Sequence, residues 1–541
     1  RVREAAEEEA RKLALQEYAA RVSMNGFAQG ARAVAVDPAT EAAEEEALME
    51  GLEEAMLRIE AEVTVDDAAE ARAEEARMEA EEQARCLTED RARLDAAAAV
   101  LIAGLKLDAD EMVGAEVSLR DLQTIICPEA QLWAASTPRW AWVAAWPTQL
   151  HMFGSTACGL GIRSGIHSSA LDVTLLFQSH GMVPTVDEQR GMLTRFAHRL
   201  LAAKGSGEAA WLVSCEVHHR SRFPILSVTD GRTNRRIELS ACQHLGIANT
   251  ALIRTYAAIN PFAEKLILLV KRWSLLRNIH SRAQQQMLSS YAWSILVIHF
   301  LQRCNPPALP HLQSPQLLHN VTRTSIKRAD GASFDCTFCS DLNAATQAVA
   351  RSAWKANGSH DAATWRHKGD APQPIAHTIG ALLCAFFAYF AAFDFDEWVA
   401  SVRSPQLLAK RDVRWERNEK PHFFGIEDPF EMTHDLGFSL GAETFALVRS
   451  EFVRAHTILS SRASADLQGL ATPSRAPSHA PPGWRDSSGP LGGGRGGVWR
   501  GGGEPRPWAD TLAELLSPVQ ERSPMGGGVM GGGVMGGGVM G

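Results

Sequence analysis

The spacing of apolar residues along the chain changes character near residue 245. Before that point, short apolar or alternating runs predict five strands, and longer runs predict helices at Leu94–Leu107 and Met192–Ala203. The predicted strands are Leu150–Phe153, Leu171–Phe177, Ala210–Val217, Phe223–Val228 and Arg236–Ser240. After it, helical spacing predicts Thr250–Ala258, Ala263–Asn278, Leu288–Gln302, Ile375–Phe393 and Ala442–Leu459. The pattern therefore indicates an α/β or α+β fold, of which we expect α+β, in which a strand-rich domain joins a mostly helical one with a ligand cleft between them.

These patterns and the composition divide the chain into four parts. Residues 1–95 form an acidic arm rich in Ala, Glu and Arg, for which we expect solvated helix, disorder or a coiled coil, although heptads are not sustained. Residues 96–245 form the strand-rich domain, preceded by a predicted helix at Leu94–Leu107, and residues 246–462 form the helical domain. Residues 463–541 form a disordered tail rich in Gly, Ser and Pro. Its segment Gly492–Gly503 is either a plain flexible stretch or a contact for single-stranded RNA.

Composition narrows the class of protein. The chain has 541 residues and a net charge of −9, which argues mildly against a nucleic-acid binder, although the acidic residues are concentrated in the N-terminal arm. Nine cysteines without framework spacing suit a reducing compartment, so we expect a cytoplasmic protein. No apolar run reaches the roughly 20 residues of a membrane helix, and we expect a monomer without membrane contact. The chain begins with Arg1 and shows no signal peptide, so we expect the natural N-terminus to lie upstream.

One pair of cysteines has the spacing of a metal-binding motif. Cys336 and Cys339 are separated by two residues, but no second pair lies nearby. The alternation around Phe334 and Phe338 favours a strand, with a zinc site as the alternative.

Candidate chemistry is concentrated in the segment from Phe153 to Phe177. A Gly154-Ser155 turn at a helix start suits phosphate, because Gly allows close approach and the first helical N–H groups favour anions. Asp172 lies in an otherwise apolar strand, where a carboxylate is costly unless it is paired or holds a metal. Glu238 is a second carboxylate among apolar neighbours. The alternative interpretation is an ordinary turn followed by a solvated Asp.

The segment Ser169–Leu175 resembles the signature of polymerase-β-type nucleotidyltransferases, in which a Gly-Ser turn precedes a strand with two Asp one residue apart. Further motifs make the chain similar to terminal uridylyltransferases and poly(A) RNA polymerases over roughly residues 140–460. These motifs are Phe223-Pro224-Ile225 with Glu238-Leu239-Ser240, Leu245–Tyr256, Leu269–Trp273, Leu288–Tyr291 with Val297–Gln313, Phe386–Arg403, and Ile426–Gly437. The resemblance implies a polymerase-β-type palm, a helical central domain with a poly(A)-polymerase-associated region at about 288–430, and flanking low-complexity arms.

The resemblance also implies an activity and a set of site residues. The expected reaction transfers a nucleotide from UTP, or second from ATP, to the 3′-hydroxyl of RNA and releases pyrophosphate, with two Mg²⁺ or Mn²⁺ ions. Asp172 and Glu238 would be the catalytic and metal-binding carboxylates. The residues that would bind the nucleotide are Gly154, Ser155, Asn249, Thr250, Lys271, Ser290, Tyr291 and His434. Lys271 would hold the triphosphate, Asn249 the ribose and Tyr291 the base, and His434 would select uracil.

Three positions depart from the family pattern. Ala170 replaces the first metal carboxylate, Glu238 replaces an Asp, and Leu275 stands where many relatives carry a second phosphate-binding Lys. A few residues are also inserted between Gly161 and Leu171 relative to the family. Glu216 and Asp230 are the candidates for a metal ligand in place of the carboxylate absent at position 170, although nothing in the sequence requires one. The alternative function is therefore a catalytically inactive relative that binds RNA or nucleotide, or acts as a scaffold.

Overall fold

The computed structural model describes residues 91–163, 169–177, 182–219, 223–280, 286–328, 331–356, 377–415 and 420–465, together with 72–82 and a few isolated positions. Contacts divide the chain into two compact units, Arg1–Arg85 and Cys86–Gly541. In the first unit, residues 72–82 are helical and exposed. Most of the predicted arm and nearly all of the predicted tail lie outside the described residues.

The second unit contains a five-stranded sheet and, after it, a helical domain. The strands are β1 (Thr148–Phe153), β2 (Leu171–Phe177), β3 (Leu212–His218), β4 (Ile225–Asp230) and β5 (Arg235–Ala241). Their order is β1-β2-β5-β4-β3, and only the β2–β5 pair is parallel. All five predicted strands are confirmed, with ends that differ by up to two residues, and the mixed sheet confirms the α+β class.

The helices of this unit lie before, within and after the sheet. They are α1 (Ala109–Ser136), α2 (Gly154–Ala157), α3 (Val186–Ser206), α4 (His244–Ile259), α5 (Pro261–Leu276), α6 (Ser290–Arg303), α7 (Pro315–Leu318), α8 (Leu342–Ala356), α9 (Ile379–Ala391) and α10 (Ala442–Ala465). Short 3-10 helices cover Ala141–Ala145 and Lys410–Asp412, and two small hairpins pair β6 (Ser325–Lys327) with β7 (Ser333–Asp335) and β8 (Trp398–Val399) with β9 (Leu408–Ala409).

One face of the sheet is buried under α1 and α3. Alternate strand residues such as Val173 and Leu239 join Leu122 of α1 and Phe196 of α3 in a single apolar cluster. The apolar pattern did not predict α1, the longest helix in the described part of the chain, because Pro128 and many small residues weaken its periodicity. A capping box between Asp108 and Glu111 marks its start. The opposite face of the sheet therefore remains available to the site.

The helical domain is organised around aromatic rings. The Trp273 ring centroid lies 4.8 Å from that of Phe387, 5.4 Å from Phe452 and 5.5 Å from Trp293, which joins α5, α6, α9 and α10. Arg277 adds a two-pronged ion pair to Glu451, with Nε–Oε2 at 2.9 Å and Nη2–Oε1 at 2.8 Å. These contacts fix the end of α5 relative to α10.

The helix predicted at Leu94–Leu107 is found at residues 91–105, but its domain differs from the prediction. Leu94, Ala98 and Ile102 are buried in the same cluster as α5 and α9, and Asp95 accepts a hydrogen bond from the Gly380 amide at 2.5 Å. A boundary at residue 96 therefore does not separate the two cores, because this helix supplies its apolar face to the helical domain. The boundary predicted near 245 coincides with the start of α4.

The two cysteines of the metal-like motif lie beside a short hairpin. Phe334 is in β7, whereas the strand ends at Asp335, before Cys336. Both cysteines are buried, and the Cys339 amide donates to Leu312 O at 2.9 Å. No group of three His, Cys, Asp or Glu that could hold a metal is present among the described residues. The eight cysteines within those residues are all free, and no helix in that part of the chain has the length and apolarity to cross a membrane.

The aromatic cluster generates a stability prediction. Phe452→Ala should lower the free energy of unfolding by about 3–5 kcal/mol, because it leaves a cavity between α5, α9 and α10. Its neighbour Val453 is 46 % exposed, so Val453→Ala should change stability by only about 0.5 kcal/mol. Urea unfolding followed by tryptophan fluorescence measures both variants, and equal losses would contradict the role of the cluster.

Candidate active site

Two carboxylates face each other on the open side of the sheet. Asp172 of β2 is paired directly with Glu238 of β5, and Glu238 is paired with Ser227 of β4. We call this row of paired residues across the sheet the carboxylate rung. Neighbouring strands lie about 4.8 Å apart, so the two side chains are close enough to share one cation. The structure therefore brings together both residues that the sequence predicted as catalytic.

The Asp172 carboxyl is held in an environment that opposes its charge. Burial raises its pKa to about 7, with a further contribution from the negative charge of Glu238, whereas Lys271 and Arg236 act in the opposite direction. A nearby positive charge would restore the ionised form.

Gly154 begins the turn that faces this carboxylate. Its φ is +73°, and a Cβ at this position would overlap the Asp172 carboxylate. Only glycine meets both conditions without strain. The Gly154 amide donates to Thr250 Oγ1 at 2.7 Å, and the Thr250 hydroxyl donates to Gly246 O at 2.7 Å. Thr250 thus positions the turn, and its direct contact with a nucleotide stays a prediction.

Ser155 lies in α2, which is a single turn between β1 and the segment before β2. Its side chain is half-buried, and its carbonyl accepts from the Leu160 amide at 2.8 Å. Arg254 of α4 donates to Ala157 O at 2.5 Å and ties the end of α2 to the helical domain. The sequence did not single out Arg254 as part of this site.

Lys271 is buried on α5 and points toward the same turn. Its ammonium donates to Leu160 O at 2.6 Å, and its side chain is within electrostatic range of Asp172 and Cys158. Burial lowers its pKa to about 8, although both of those groups act to raise it. The structure therefore places Lys271 beside the carboxylates and next to the Ser155 turn, as a phosphate-binding cation requires.

Asn249 and Tyr291 supply polar atoms on two different helices. Asn249 Oδ1 on α4 is buried and has no hydrogen-bond partner among the described residues. This acceptor suits a hydroxyl donor such as that of a ribose. Tyr291 is in the first turn of α6, and burial, followed by the charge of Asp428, raises its pKa well above the ordinary value. The tyrosine is thus neutral across the physiological pH range.

His434 lies on a loop that is fixed by two aspartates. Asp428 Oδ1 accepts from the amides of Phe430 and Glu431 at 2.9 and 3.0 Å. Asp435 Oδ1 accepts from the amides of Ile426 and Gly437 at 2.9 and 2.8 Å. Since Asp428 also interacts with the hydroxyl of Tyr291, this loop and the start of α6 are neighbours. His434 itself is half-buried.

Ser290 is the first residue of α6 and belongs to a hydrogen-bond chain. Its Oγ lies 3.1 Å from His280 Nε2, and His280 Nδ1 lies 3.0 Å from Ser274 Oγ on α5. Sequence reasoning missed His280, because it lies outside the predicted elements and carries no motif.

The position of the missing carboxylate is flanked by a cation. Leu171 pairs with Ile237 in the parallel strands β2 and β5. Ala170 and Arg236 each come one residue earlier, so they are neighbours across the two strands. Arg236 Nε lies 3.1 Å from Glu238 Oε1, which directs the guanidinium along the carboxylate rung. Residues two apart on a strand lie on the same face, so the spacing of Arg236 and Glu238 in the sequence is a signal for this contact.

Neither proposed substitute ligand reaches the site. Asp230 lies on the buried face of the sheet, where it accepts from Ser118 at 2.6 Å and pairs with Arg232 at 2.7 Å. Glu216 is on the open face but on β3, three strands from Asp172 or roughly 14 Å at the usual strand spacing. Residues 164–168 of the predicted insertion lie outside the described residues. The groups present, Asp172 and Glu238, therefore fit one hard divalent cation, and Ala170 with Arg236 does not offer a second site.

Comparison with known proteins gives two family matches in the expected order. Residues 131–258 match a model described as the central palm domain of mitochondrial-like poly(A) RNA polymerase, and residues 378–434 match one described as Cid1 family poly A polymerase. These matches cover the β1–β5 sheet and the segment from α9 to His434.

Individual relatives agree with these models. The chain is 27% identical to poly(A) RNA polymerase cid13 of Schizosaccharomyces pombe over 46% of its own length and 38% of that protein. It is 27% identical to poly(A) RNA polymerase GLD2-B of Xenopus laevis over 60% of its length and 54% of that protein. The chain thus spans only about half of these relatives or less. Terminal uridylyltransferase cid1 of Schizosaccharomyces pombe is 25% identical over 58% of the chain and 69% of that protein.

A solved structure of Cid1 with its short product ApU aligns with 68% of the chain and 94% of its own, at 22% identity and a TM-score of 0.49. The two family models and the relatives agree with one another. The chain is similar to terminal uridylyltransferases and poly(A) RNA polymerases, with a palm-domain match followed by a match to the Cid1 family poly A polymerase model.

Proposed function

We propose that the chain is a template-independent RNA 3′-terminal nucleotidyltransferase that prefers UTP and accepts ATP second. The observation that carries this proposal is the rung of Asp172 and Glu238, which lies against the Gly154-Ser155 turn and the buried Lys271. Carboxylates, a glycine-serine turn and a lysine together suit a metal-bound triphosphate. The relatives whose printed names are poly(A) RNA polymerase and terminal uridylyltransferase support the reaction class.

In the proposed reaction the RNA 3′-hydroxyl attacks the α-phosphorus, and the bond from the α-phosphate to pyrophosphate breaks. A bound Mg²⁺ or Mn²⁺ on Asp172 and Glu238 would supply Lewis-acid stabilisation of the phosphate charge. Lys271 and Ser155 bind the triphosphate, Asn249 Oδ1 accepts from the ribose, and Tyr291 supports the base. These residues position the reactants, which is the main protein contribution to phosphoryl-type transfer.

The base preference is assigned to His434. Its loop is held by Asp428 and Asp435 and lies next to Tyr291, so an imidazole here has a fixed position relative to a base on the tyrosine ring. A side chain of this size contacts a pyrimidine and crowds a larger purine. We therefore propose UTP ahead of ATP, an RNA 3′ end as the acceptor and a monomer as the active form. The cytoplasmic location stays a prediction.

A second function is favoured by Ala170 and Arg236. The family carboxylate is absent at 170, and the neighbouring guanidinium already neutralises Glu238. With this charge balance the site would hold RNA or nucleotide without catalysing transfer. The transferase and the inactive binding protein differ in one respect, which is whether Asp172 and Glu238 alone can support nucleotide transfer.

RNA extension separates these two functions. Purified protein, a labelled single-stranded RNA, Mg²⁺ or Mn²⁺ and each NTP separately should give added uridines, and Asp172→Ala should lower the rate by about 10³-fold or more because a metal ligand is lost. Ala170→Asp should raise the rate, since it restores the family's donor set. Extension by wild type that survives Asp172→Ala would contradict the site. No extension by wild type, together with extension by Ala170→Asp, would establish the inactive relative.

Nucleotide choice tests His434 separately. His434→Ala should lower the preference for UTP over ATP by about 10-fold, because one contact in a binding pocket has an effect of this size. Steady-state kinetics with each nucleotide measures the ratio of kcat/KM. Met432→Ala, on the same loop but 48 % exposed, is the matched control and should leave the ratio unchanged. An unchanged ratio in His434→Ala would remove the selective role.

The buried charge of Lys271 has a predicted signature in stability. A folded-state pKa of about 8 against 10.5 in the unfolded chain means that charged Lys271 destabilises the folded state by about 3 kcal/mol below pH 8. This penalty disappears as the pH rises from 8 to 10.5, because the amine is then neutral in both states. The free energy of unfolding of wild type relative to Lys271→Met should therefore rise by about 3 kcal/mol over that range.

Urea unfolding of both proteins at pH 7, 9 and 10.5 measures this difference. For this measurement both proteins carry Asp172→Asn, which removes the titration of the carboxyl that Lys271 influences. The loss of the hydrogen bond to Leu160 O in Lys271→Met then shifts the curve by a constant and leaves the pH dependence of Lys271. A difference that does not vary with pH would show that Lys271 is not a buried charge. Nucleotide binding should be lost in Lys271→Met at every pH.

A further inference from the structure

A chain of hydrogen bonds connects α5 to the first residue of α6 through His280. The Ser274 hydroxyl donates to Lys271 O at 2.8 Å. His280 lies between the two serines, with Nδ1 3.0 Å from Ser274 Oγ and Nε2 3.1 Å from Ser290 Oγ. Ser274 is fully buried and His280 is 8 % exposed, whereas Ser290 is half-buried. The Ser274 end of this hydrogen-bond chain is therefore fixed in the core, and the Ser290 end lies at the predicted nucleotide site.

The direction of these hydrogen bonds follows from the number of protons. Ser274 has one hydroxyl proton and uses it on Lys271 O, so its oxygen accepts from the Nδ1–H of His280. A neutral imidazole carries only one N–H, so Nε2 is then an acceptor for the hydroxyl proton of Ser290. In this state Ser290 presents only lone pairs to a ligand. Phosphate oxygens also have only lone pairs to offer, so Ser290 in this state cannot form a hydrogen bond with a phosphate.

Resting on the nucleotidyltransferase function proposed above, we propose that His280 is a positioning residue that couples triphosphate binding at Ser290 to proton uptake. Nε2 takes a proton from solvent and donates it in a hydrogen bond to Ser290 Oγ, and the Ser290 hydroxyl turns to donate to a phosphate oxygen. The positive imidazolium also favours the anionic ligand. Affinity for the triphosphate then rises as the pH falls through the titration of His280.

The helices next to this hydrogen-bond chain carry several charged groups. On α5 they are Lys271, Arg272 and Arg277, and on α10, which meets the end of α5 through the Arg277–Glu451 ion pair, they include Glu451 and Arg454. Arg277 and Glu451 form an ion pair, and Arg454 donates to the same carboxylate. The Lys271 ammonium is turned toward Leu160 O and titrates near pH 8. Its proton uptake must be separated from that of His280.

Calorimetric titration of the full chain with UTP and Mg²⁺, without RNA, makes this separation. Measurements in two buffers of different ionisation enthalpy, at pH 6.5 and 8.0, give the number of protons taken up. Wild type should take up more protons than Ser290→Ala, since the contributions of UTP itself and of Lys271 are common to both. Ser290→Ala should bind UTP about 10- to 100-fold more weakly at pH 6.5, the effect of one hydrogen bond to a charged group.

Variants of His280 complete the test. His280→Gln places an amide N–H near Nε2 but carries no charge and does not titrate, so at pH 6.5 it should bind UTP more tightly than Ser290→Ala, more weakly than wild type, and without the extra proton uptake. His280→Phe keeps the ring but removes both hydrogen bonds, so it should match Ser290→Ala, and the double variant should bind no more weakly than either.

Equal proton uptake by wild type and Ser290→Ala, or wild-type affinity in His280→Phe, would overturn the inference. Where His280→Phe fails to fold, the comparison of wild type with Ser290→Ala decides alone. A wild-type protein that binds neither UTP nor ATP would instead overturn the proposed function, which is a different result from UTP binding that does not depend on His280.

Discussion

The parallel pairing of β2 with β5 is the constraint on which the site depends. It joins two strands that are separated in sequence by α3, β3 and β4, and it sets Asp172 directly beside Glu238. A shift of one residue in this register would turn one of the carboxylates into the apolar layer under α1 and α3. The burial of Val173 and Leu239 in that layer therefore stabilises the register, and the register in turn keeps two like charges side by side.

That juxtaposition is unfavourable by itself, and the surrounding groups offset it. Lys271 comes from the helical domain and Arg236 lies on β5 two residues before Glu238, and both act to lower the pKa of Asp172. The helical domain thus contributes a positive charge beside Asp172, through Lys271, as well as packing contacts to the palm. The hydrogen bond from the Gly154 amide to Thr250 Oγ1 is a direct contact between the two domains at this point.

The replacement of a carboxylate by Ala170 changes this balance. Two carboxylates carry less negative charge than three, and Arg236 already forms an ion pair with one of them. Whether the protein retains catalysis depends on how well a single cation position, with Lys271 and the Gly154-Ser155 turn, stabilises the transferring phosphate.

The sequence by itself determined the strands, most of the helices and the resemblance to nucleotidyltransferases, and it singled out Asp172 and Glu238, because period-two apolar runs and local motifs carry that information. It missed α1, whose burial depends on small residues around Pro128, and it assigned residues 96–105 to the wrong core. The tertiary structure alone decided that Glu216 and Asp230 are out of reach and that His280 joins Ser274 to Ser290. The physical reason is that hydrogen bonds and ion pairs between separate elements depend on register and packing, which leave no periodic trace in the sequence.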